Sequence, residues 1–356
     1  MMIKTLIIAE AGVNHNGSLE MALELVDQAH ACGADIIKFQ TFKAGKLLTD
    51  KVEKAGYQKA STDRNESQYE MIKKLELSDE AHRILHRRCR ELGIEFLSTP
   101  FDIDSLHFLV NDIGMERIKI PSGEVTNGPL LLEAARTGKP VLLSTGMCTM
   151  GEIEAALAVL AFGYLGEEDP SAERFAEAYA SDEGQRLLKE NVTLLHCTTE
   201  YPTPYEEVNL RVMHAFASAF GLRVGYSDHT AGIAVPVAAA ALGATVIEKH
   251  FTLDRNLPGP DHSSSLEPQE LKAMVDSIRQ VEAALGTPVK KPTPSEALNK
   301  RVVRKTIVAA KPIRKGERID AEHLAVKRAG CGPSPMEFWR LIGKTADKYY
   351  EIDQII

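Results

Sequence analysis

The chain has 356 residues, 44% of them hydrophobic and 26% charged, with a net charge of -8. That is the composition of an ordinary soluble globular protein, and the acidic balance argues against nucleic acid or an anionic membrane surface as the main partner. No apolar run approaches membrane-spanning length, no signal-peptide pattern opens the chain, and the five cysteines are scattered without a CxxC pair, which predicts reduced thiols in the cytoplasm.

Residues 5–9 read as a short apolar strand that ends in Glu10-Ala11-Gly12-Val13-Asn14-His15-Asn16-Gly17. Ser18 can cap a helix over 19–32, where Met21, Ala22, Leu25, Val26 and Ala29 recur at helical spacing before Gly33 stops it. A second strand, 36–40, runs into Lys38-Phe39-Gln40-Thr41-Phe42. The polar stretch 43–65 is far longer than the roughly 2–6 residues of a usual strand-to-helix loop, and such loops commonly bind substrate. The pattern then repeats. Strands at 94–97, 117–120 and 141–143 lead into Ser98-Thr99-Pro100, Pro121-Ser122-Gly123-Glu124 and Ser144-Thr145-Gly146-Met147. An acidic, partly helical insertion occupies 163–191, before a strand at 192–195 and the run His196 to Pro204. Strands at 223–226 and 244–247 follow, separated by an Ala/Val-rich helix at 233–242, and a final helix spans 268–285.

Eight strand–helix units within residues 1–285 match a TIM (β/α)8 barrel, whose typical size is roughly 250 residues. An open doubly wound sheet fits less well. No GxGxxG follows the first strand, and polar motifs follow all eight strands rather than one switch point. Residues 286–298 read as a proline-rich linker and 299–356 as a small, mostly β domain, with strands at 304–310, 325–328 and 348–352 and one helical turn at 321–324.

Barrel geometry gathers the strand ends on one rim. His229 and His250 stand just past two consecutive strands, and two imidazoles suit a divalent transition metal while leaving positions for water and substrate. Lys38 and Lys119 at strand ends ask for an anionic partner. Thr99, Ser122 and Ser144 add hydroxyls, a set suited to phosphate or carboxylate. Glu10 and Glu124 are candidate proton-transfer groups, and Thr145, Asp228 and Lys249 belong to the same rim. Each has an ordinary structural alternative: a strand-capping His, a snorkelling Lys, a helix-capping Ser. It is the set, on eight consecutive strand ends, that favours a site.

These motifs, with Glu200-Tyr201-Pro202-Thr203-Pro204, Ser227-Asp228-His229-Thr230 and Lys249-His250-Phe251-Thr252, resemble the sialic acid (nonulosonic acid) synthase family over nearly the whole chain. The tail around Lys327-Arg328-Ala329-Gly330 resembles that family's antifreeze-like (SAF) domain. The resemblance implies condensation of phosphoenolpyruvate with an N-acetylated mannosamine-type aldose to a nine-carbon α-keto acid sugar plus phosphate. It implies a metal on His229 and His250, Mn2+ first, with Mg2+ or Co2+ as alternatives. Lys38 and Thr99 would hold the carboxylate, and Lys119, Ser122 and Ser144 the phosphate. Gln40, Asn65, Thr199, Tyr201 and Asp261 would also contact substrate, and Glu124 and Glu10 would move protons. Arg328 would come from the other subunit of a domain-swapped homodimer and read the N-acetyl group.

Thr199 stands where some members have Asn, and Arg328-Ala329-Gly330-Cys331-Gly332 replaces Arg-Pro-Gly-Asn-Gly. The sets Thr198 to Tyr201, Gly259 to His262 and Ser265 to Pro268 resemble the N,N'-diacetyllegionaminate branch more than the N-acetylneuraminate branch. Other readings are a Schiff-base aldolase or isomerase using Lys119 or Lys249, and a non-catalytic carbohydrate-binding protein. A heptulosonate-type synthase needs a phosphorylated acceptor, for which the chain shows no second basic cluster.

Overall fold

The computed structural model describes residues 4–49, 54 and 66–356. It divides into two compact units, Met1–Gly286 and Thr287–Ile356.

The first unit is a (β/α)8 barrel. Its strands are β1 Leu6–Gly12, β2 Ile36–Thr41, β3 Glu95–Pro100, β4 Ile118–Ile120, β5 Val141–Ser144, β6 Val192–His196, β7 Arg223–Asp228 and β8 Val246–His250. Every ladder is parallel, in the order β3-β2-β1-β8-β7-β6-β5-β4. β3 and β4 lie alongside each other at the seam. There the Ser98 amide donates to Met115 Sδ at 3.2 Å, just ahead of β4.

Strands buried on both faces need nearly continuous apolar sequence, which Leu6–Ala9, Ile36–Ile37 and Val141–Leu143 supply. Their side chains share one core with the inner faces of helices such as Leu19–Ala31, Asp79–Leu92 and Pro268–Leu285. The helix starts are those the sequence marks. The Ser18 side chain accepts from the Met21 amide, and Thr149 and Glu152 form a capping box.

The strands run up to three residues beyond their apolar cores, so that polar residues such as Glu10, Thr99 and His250 pair within the ladders. The acidic insertion holds two helices, Ala172–Ala180 and Asp182–Asn191, which pack on Met150–Leu165.

In the second unit, β9 Thr306–Ala309 and β10 Leu324–Lys327 form an antiparallel pair over a small core that includes Ile307, Ile313, Leu324 and Tyr350. The predicted linker is partly a helix, Pro294–Val303. Thr293 and Glu296 close a capping box, with proline at the helix start, and that signal overrides the proline-rich composition. The strand expected at 348–352 is reduced to a single bridge, Ile313 to Tyr350. Most of the polar stretch 43–65, including Asn65, lies outside the described residues.

Candidate active site

One cavity opens at the C-terminal rim of the barrel. Its floor is a cluster of four charges. β1 and β2 are in register with Glu10 opposite Lys38, and Lys38 Nζ lies 2.7 Å from Glu10 Oε2. The same ammonium donates to Thr99 Oγ1 at 3.1 Å and stands 3.6 Å from Glu248 Oε2. Across the barrel, Lys119 Nζ and Ser227 Oγ donate to Glu248 Oε1 at 3.0 and 2.7 Å. All four charged side chains are buried.

These surroundings separate the two carboxylates. Burial, with the Glu248 charge adding to it and Lys38 opposing, pushes the Glu10 carboxyl up to about 7. Burial pushes Glu248 the same way, but Lys119, Lys38 and the Ser227 hydroxyl outweigh it and hold that group well below the usual carboxylate range. Glu10 can therefore take and give a proton near neutral pH, while Glu248 stays charged.

Beside the floor lies a small polar cradle. Ser122 Oγ accepts from the Gly146 amide at 2.9 Å and lies 3.2 Å from Cys197 Sγ. Ser144 Oγ and Thr199 Oγ1 are buried without a hydrogen-bond partner. A side chain at Gly146 would put its Cβ 2.3 Å from Thr199 Oγ1 and 2.9 Å from Ser122 Oγ, so the cradle requires glycine there. Unpaired buried hydroxyls in the cavity that Lys119 also lines are what a phosphate or carboxylate would satisfy.

The imidazoles of His229 and His250 meet at the same cavity, with ring centroids 5.5 Å apart, and the Tyr201 ring packs 4.2 Å from His229. His229 Nδ1 donates to the Thr198 carbonyl at 2.6 Å. Burial pushes His229 down to about 4, and burial with the neighbouring His229 and Lys38 pushes His250 well below its ordinary value. A neutral His229 that donates through Nδ1 keeps its Nε2 lone pair for a ligand. His250 Nδ1 is buried and lacks a hydrogen-bond partner, with Asp261 Oδ2 3.9 Å away. Among the described residues no group of three or more His, Cys, Asp or Glu could hold a metal. Two neutral imidazoles facing one cavity are donors of the kind a divalent ion accepts, and an ion held by two protein ligands would need water or substrate for the rest.

Of the residues expected from the sequence, Glu10, Lys38, Gln40, Thr99, Lys119, Ser122, Ser144, Thr199, Tyr201, His229, His250 and Asp261 all line this cavity. Glu124 does not. It closes the short turn Ser122–Glu124, and its carboxylate accepts from Asn127 Nδ2 at 2.6 Å, at the cap of the next helix. Lys249 and Asp228 are also absent from the lining: they form a fully buried ion pair, and Lys249 bonds the Thr230 carbonyl as well. Thr145 is structural, donating to the Leu195 carbonyl at 2.9 Å. Arg328 lies exposed in the second unit, and Asn65 is outside the described residues.

Glu248 and Ser227 line the cavity although the sequence reading gave them no role, and Cys197, which follows a strand, lines it as well. Glu248 and Ser227 each lie two residues before a cavity histidine, so strand alternation points to both.

Fold and site together define a barrel enzyme that concentrates cations, hydroxyls and two neutral imidazoles around one small cavity. Residues 25–290 match the NeuB family and residues 304–356 the SAF domain, and the chain belongs to the NeuB family. It is 49% identical over 355 residues to the N,N'-diacetyllegionaminic acid synthase of Campylobacter jejuni, covering 100% of this chain and 99% of that protein. It is 46% identical to the N,N'-diacetyllegionaminic acid synthase of Legionella pneumophila, covering 95% and 89% of the two chains. Among solved structures, the N-acetylneuraminic acid (sialic acid) synthetase of Leptospira borgpetersenii in complex with citrate superposes with a TM-score of 0.68. It is 32% identical, over 83% of this chain and 90% of that one.

Proposed function

We propose that the chain is a nonulosonic acid synthase that condenses phosphoenolpyruvate with 2,4-diacetamido-2,4,6-trideoxymannose, giving N,N'-diacetyllegionaminate and phosphate. The observation that carries this is the joining, in one cavity, of an anion-holding floor with two neutral imidazoles. The identity of nearly half the chain to two N,N'-diacetyllegionaminic acid synthases supports the choice of sugar.

Lys38 and Thr99 hold the phosphoenolpyruvate carboxylate, and Lys119, Ser122, Ser144 and Thr199 hold its phosphate. Gln40, Tyr201 and Asp261 face the acceptor sugar. His229 and His250 would hold a divalent metal, Mn2+ by preference with Mg2+ or Co2+ as substitutes, and that ion supplies Lewis-acid polarisation of the acceptor aldehyde. The enol carbon forms the new C–C bond to the aldehyde carbon, whose oxygen takes up a proton. Water adds to the phosphate-bearing carbon and gives up a proton. Phosphate then leaves with the C–O bond, and the α-keto group remains. Glu10, whose carboxyl burial pushes up to about 7, and Glu124 are the proton carriers.

Arg328 reaches the acceptor's N-acetyl group from a second copy of the chain, which makes the working enzyme a domain-swapped homodimer in the cytoplasm. No helix among the described residues is long and apolar enough to cross a membrane.

A label test separates this reading from others. With 18O in the bridging oxygen of phosphoenolpyruvate, the synthase delivers the label to inorganic phosphate. Label retained in the sugar acid contradicts C–O cleavage. A Schiff-base aldolase would release no phosphate and would trap on borohydride treatment. Lys249, fully buried and bound to Asp228, is poorly placed for that role.

A further inference from the structure

The cavity has a second wall unlike the first. Val13, Phe42, Leu47, Leu48, Ile72 and Phe101 line it. All but Leu48 belong, with Leu75, to an apolar cluster separate from the barrel core. Phe42 and Phe101 meet edge to face with ring centroids 6.1 Å apart. Neither the carboxylate nor the phosphate of phosphoenolpyruvate has use for such a surface, and a hydroxyl pressed against it would lose its hydrogen bonds to water.

The placement of the wall says which part of the acceptor meets it. It follows β1, β2 and β3, on the side of the sheet that continues into β8 and His250. Where the rim passes from β8, which carries His250, to β1 and β2, three polar side chains converge on Gly12. A Cβ there would lie 3.3 Å from Gln40 Nε2, 3.3 Å from Glu10 Oε1 and 3.6 Å from Asp261 Oδ2. An aldose with its carbonyl at the imidazoles therefore passes Asp261 and Gln40 with its middle carbons and brings its far end to the apolar wall.

We infer that this wall receives the terminal methyl of a 6-deoxy acceptor, and that Phe42, Leu47, Leu48 and Ile72 set the enzyme's preference against a 6-hydroxyl. The inference rests on the synthase reading above. It names the residues that read one carbon of the sugar.

The test compares two acceptors that differ only at carbon 6: 2,4-diacetamido-2,4,6-trideoxymannose and 2,4-diacetamido-2,4-dideoxymannose. An apolar pocket discriminates against an added hydroxyl by up to roughly 100-fold, so kcat/KM should favour the 6-deoxy sugar by about 10- to 100-fold. Leu47→Gln and Ile72→Asn should each shrink that ratio about tenfold or more, through the acceptor KM, while the phosphoenolpyruvate KM stays within about twofold. Thermal unfolding confirms that each variant is folded, and the parent ratio needs no variant at all. Turnover of both sugars at equal kcat/KM, or a preference that survives in both folded variants, overturns the inference and leaves the synthase reading standing. Phosphate release with neither sugar overturns the synthase reading itself.

Discussion

Glu248 and Lys119 share a hydrogen bond of 3.0 Å at the bottom of the barrel cavity, and the other Glu248 oxygen stands 3.6 Å from Lys38. One carboxylate thus sets two lysines that would otherwise repel each other. Removing one member of a buried ion pair typically costs roughly 3–5 kcal/mol, because a desolvated charge is left behind. Glu248→Gln keeps acceptor geometry but not charge. It should lower stability by roughly 3 kcal/mol, and added inorganic phosphate should stabilise the variant more than the parent, because phosphate replaces the lost negative charge. Thermal unfolding with and without phosphate measures both effects.

Lys119 and Lys249 are both buried lysines on strands, yet they should fail differently. Lys249→Met strands Asp228 in a fully enclosed site and should cost roughly 3–5 kcal/mol in urea unfolding. Lys119→Met leaves Glu248 with only Lys38, at 3.6 Å, to oppose its charge, so it should cost part of that stability and should act on the substrate as well. Loss of a charged hydrogen bond worth roughly 2–3 kcal/mol raises the phosphoenolpyruvate KM by about 30- to 150-fold.

The contrast between these lysines shows what was legible in the sequence. The eight strand–helix units and the polar strand ends could be read from periodicity and caps, because each is a local signal. Which strand-end residues face the cavity depends on alternation along each strand. His250 and Glu248 share one face and Lys249 takes the other, so Lys249 looked like a site residue and Glu248 was missed. The turn Ser122–Glu124, which sets the Glu124 carboxylate on Asn127 Nδ2, is likewise not given by spacing alone. The apolar wall was not visible because Val13, Phe42, Ile72 and Phe101 come from loops and a helix far apart in the chain, and only the closed barrel brings them together.

The imidazole pair makes a binding prediction separable from turnover. His229→Asn or His250→Asn should weaken Co2+ or Mn2+ binding by at least about 100-fold, as expected when one of two protein ligands is lost from a site open to water. The unfolding temperature of the metal-free protein should change little. Titration calorimetry, or the visible spectrum of the Co2+ form, reports the loss. Metal affinity unchanged in both variants places the ion elsewhere.

Acid should destabilise the fold in a defined window. His15 and His262 are fully buried, and burial pushes both down to about 4 from an ordinary 6.5. Between those values the unfolded chain binds protons that the folded chain refuses. The contribution of these two histidines is therefore complete above about pH 6.5 and falls as pH drops toward 4, by up to roughly 3 kcal/mol for each, while Glu10, raised to about 7, opposes it over the same range. Urea unfolding across this range measures the slope, and His15→Gln should flatten it.

The most direct test of the synthase reading is phosphate release from phosphoenolpyruvate by the Mn2+-loaded protein, run in parallel with 2,4-diacetamido-2,4,6-trideoxymannose and with N-acetylmannosamine. The expected result is release that depends on the acceptor and is much faster with the diacetamido sugar. A clear preference for N-acetylmannosamine would make the protein an N-acetylneuraminate synthase. No release with either sugar at full metal occupancy would contradict the account.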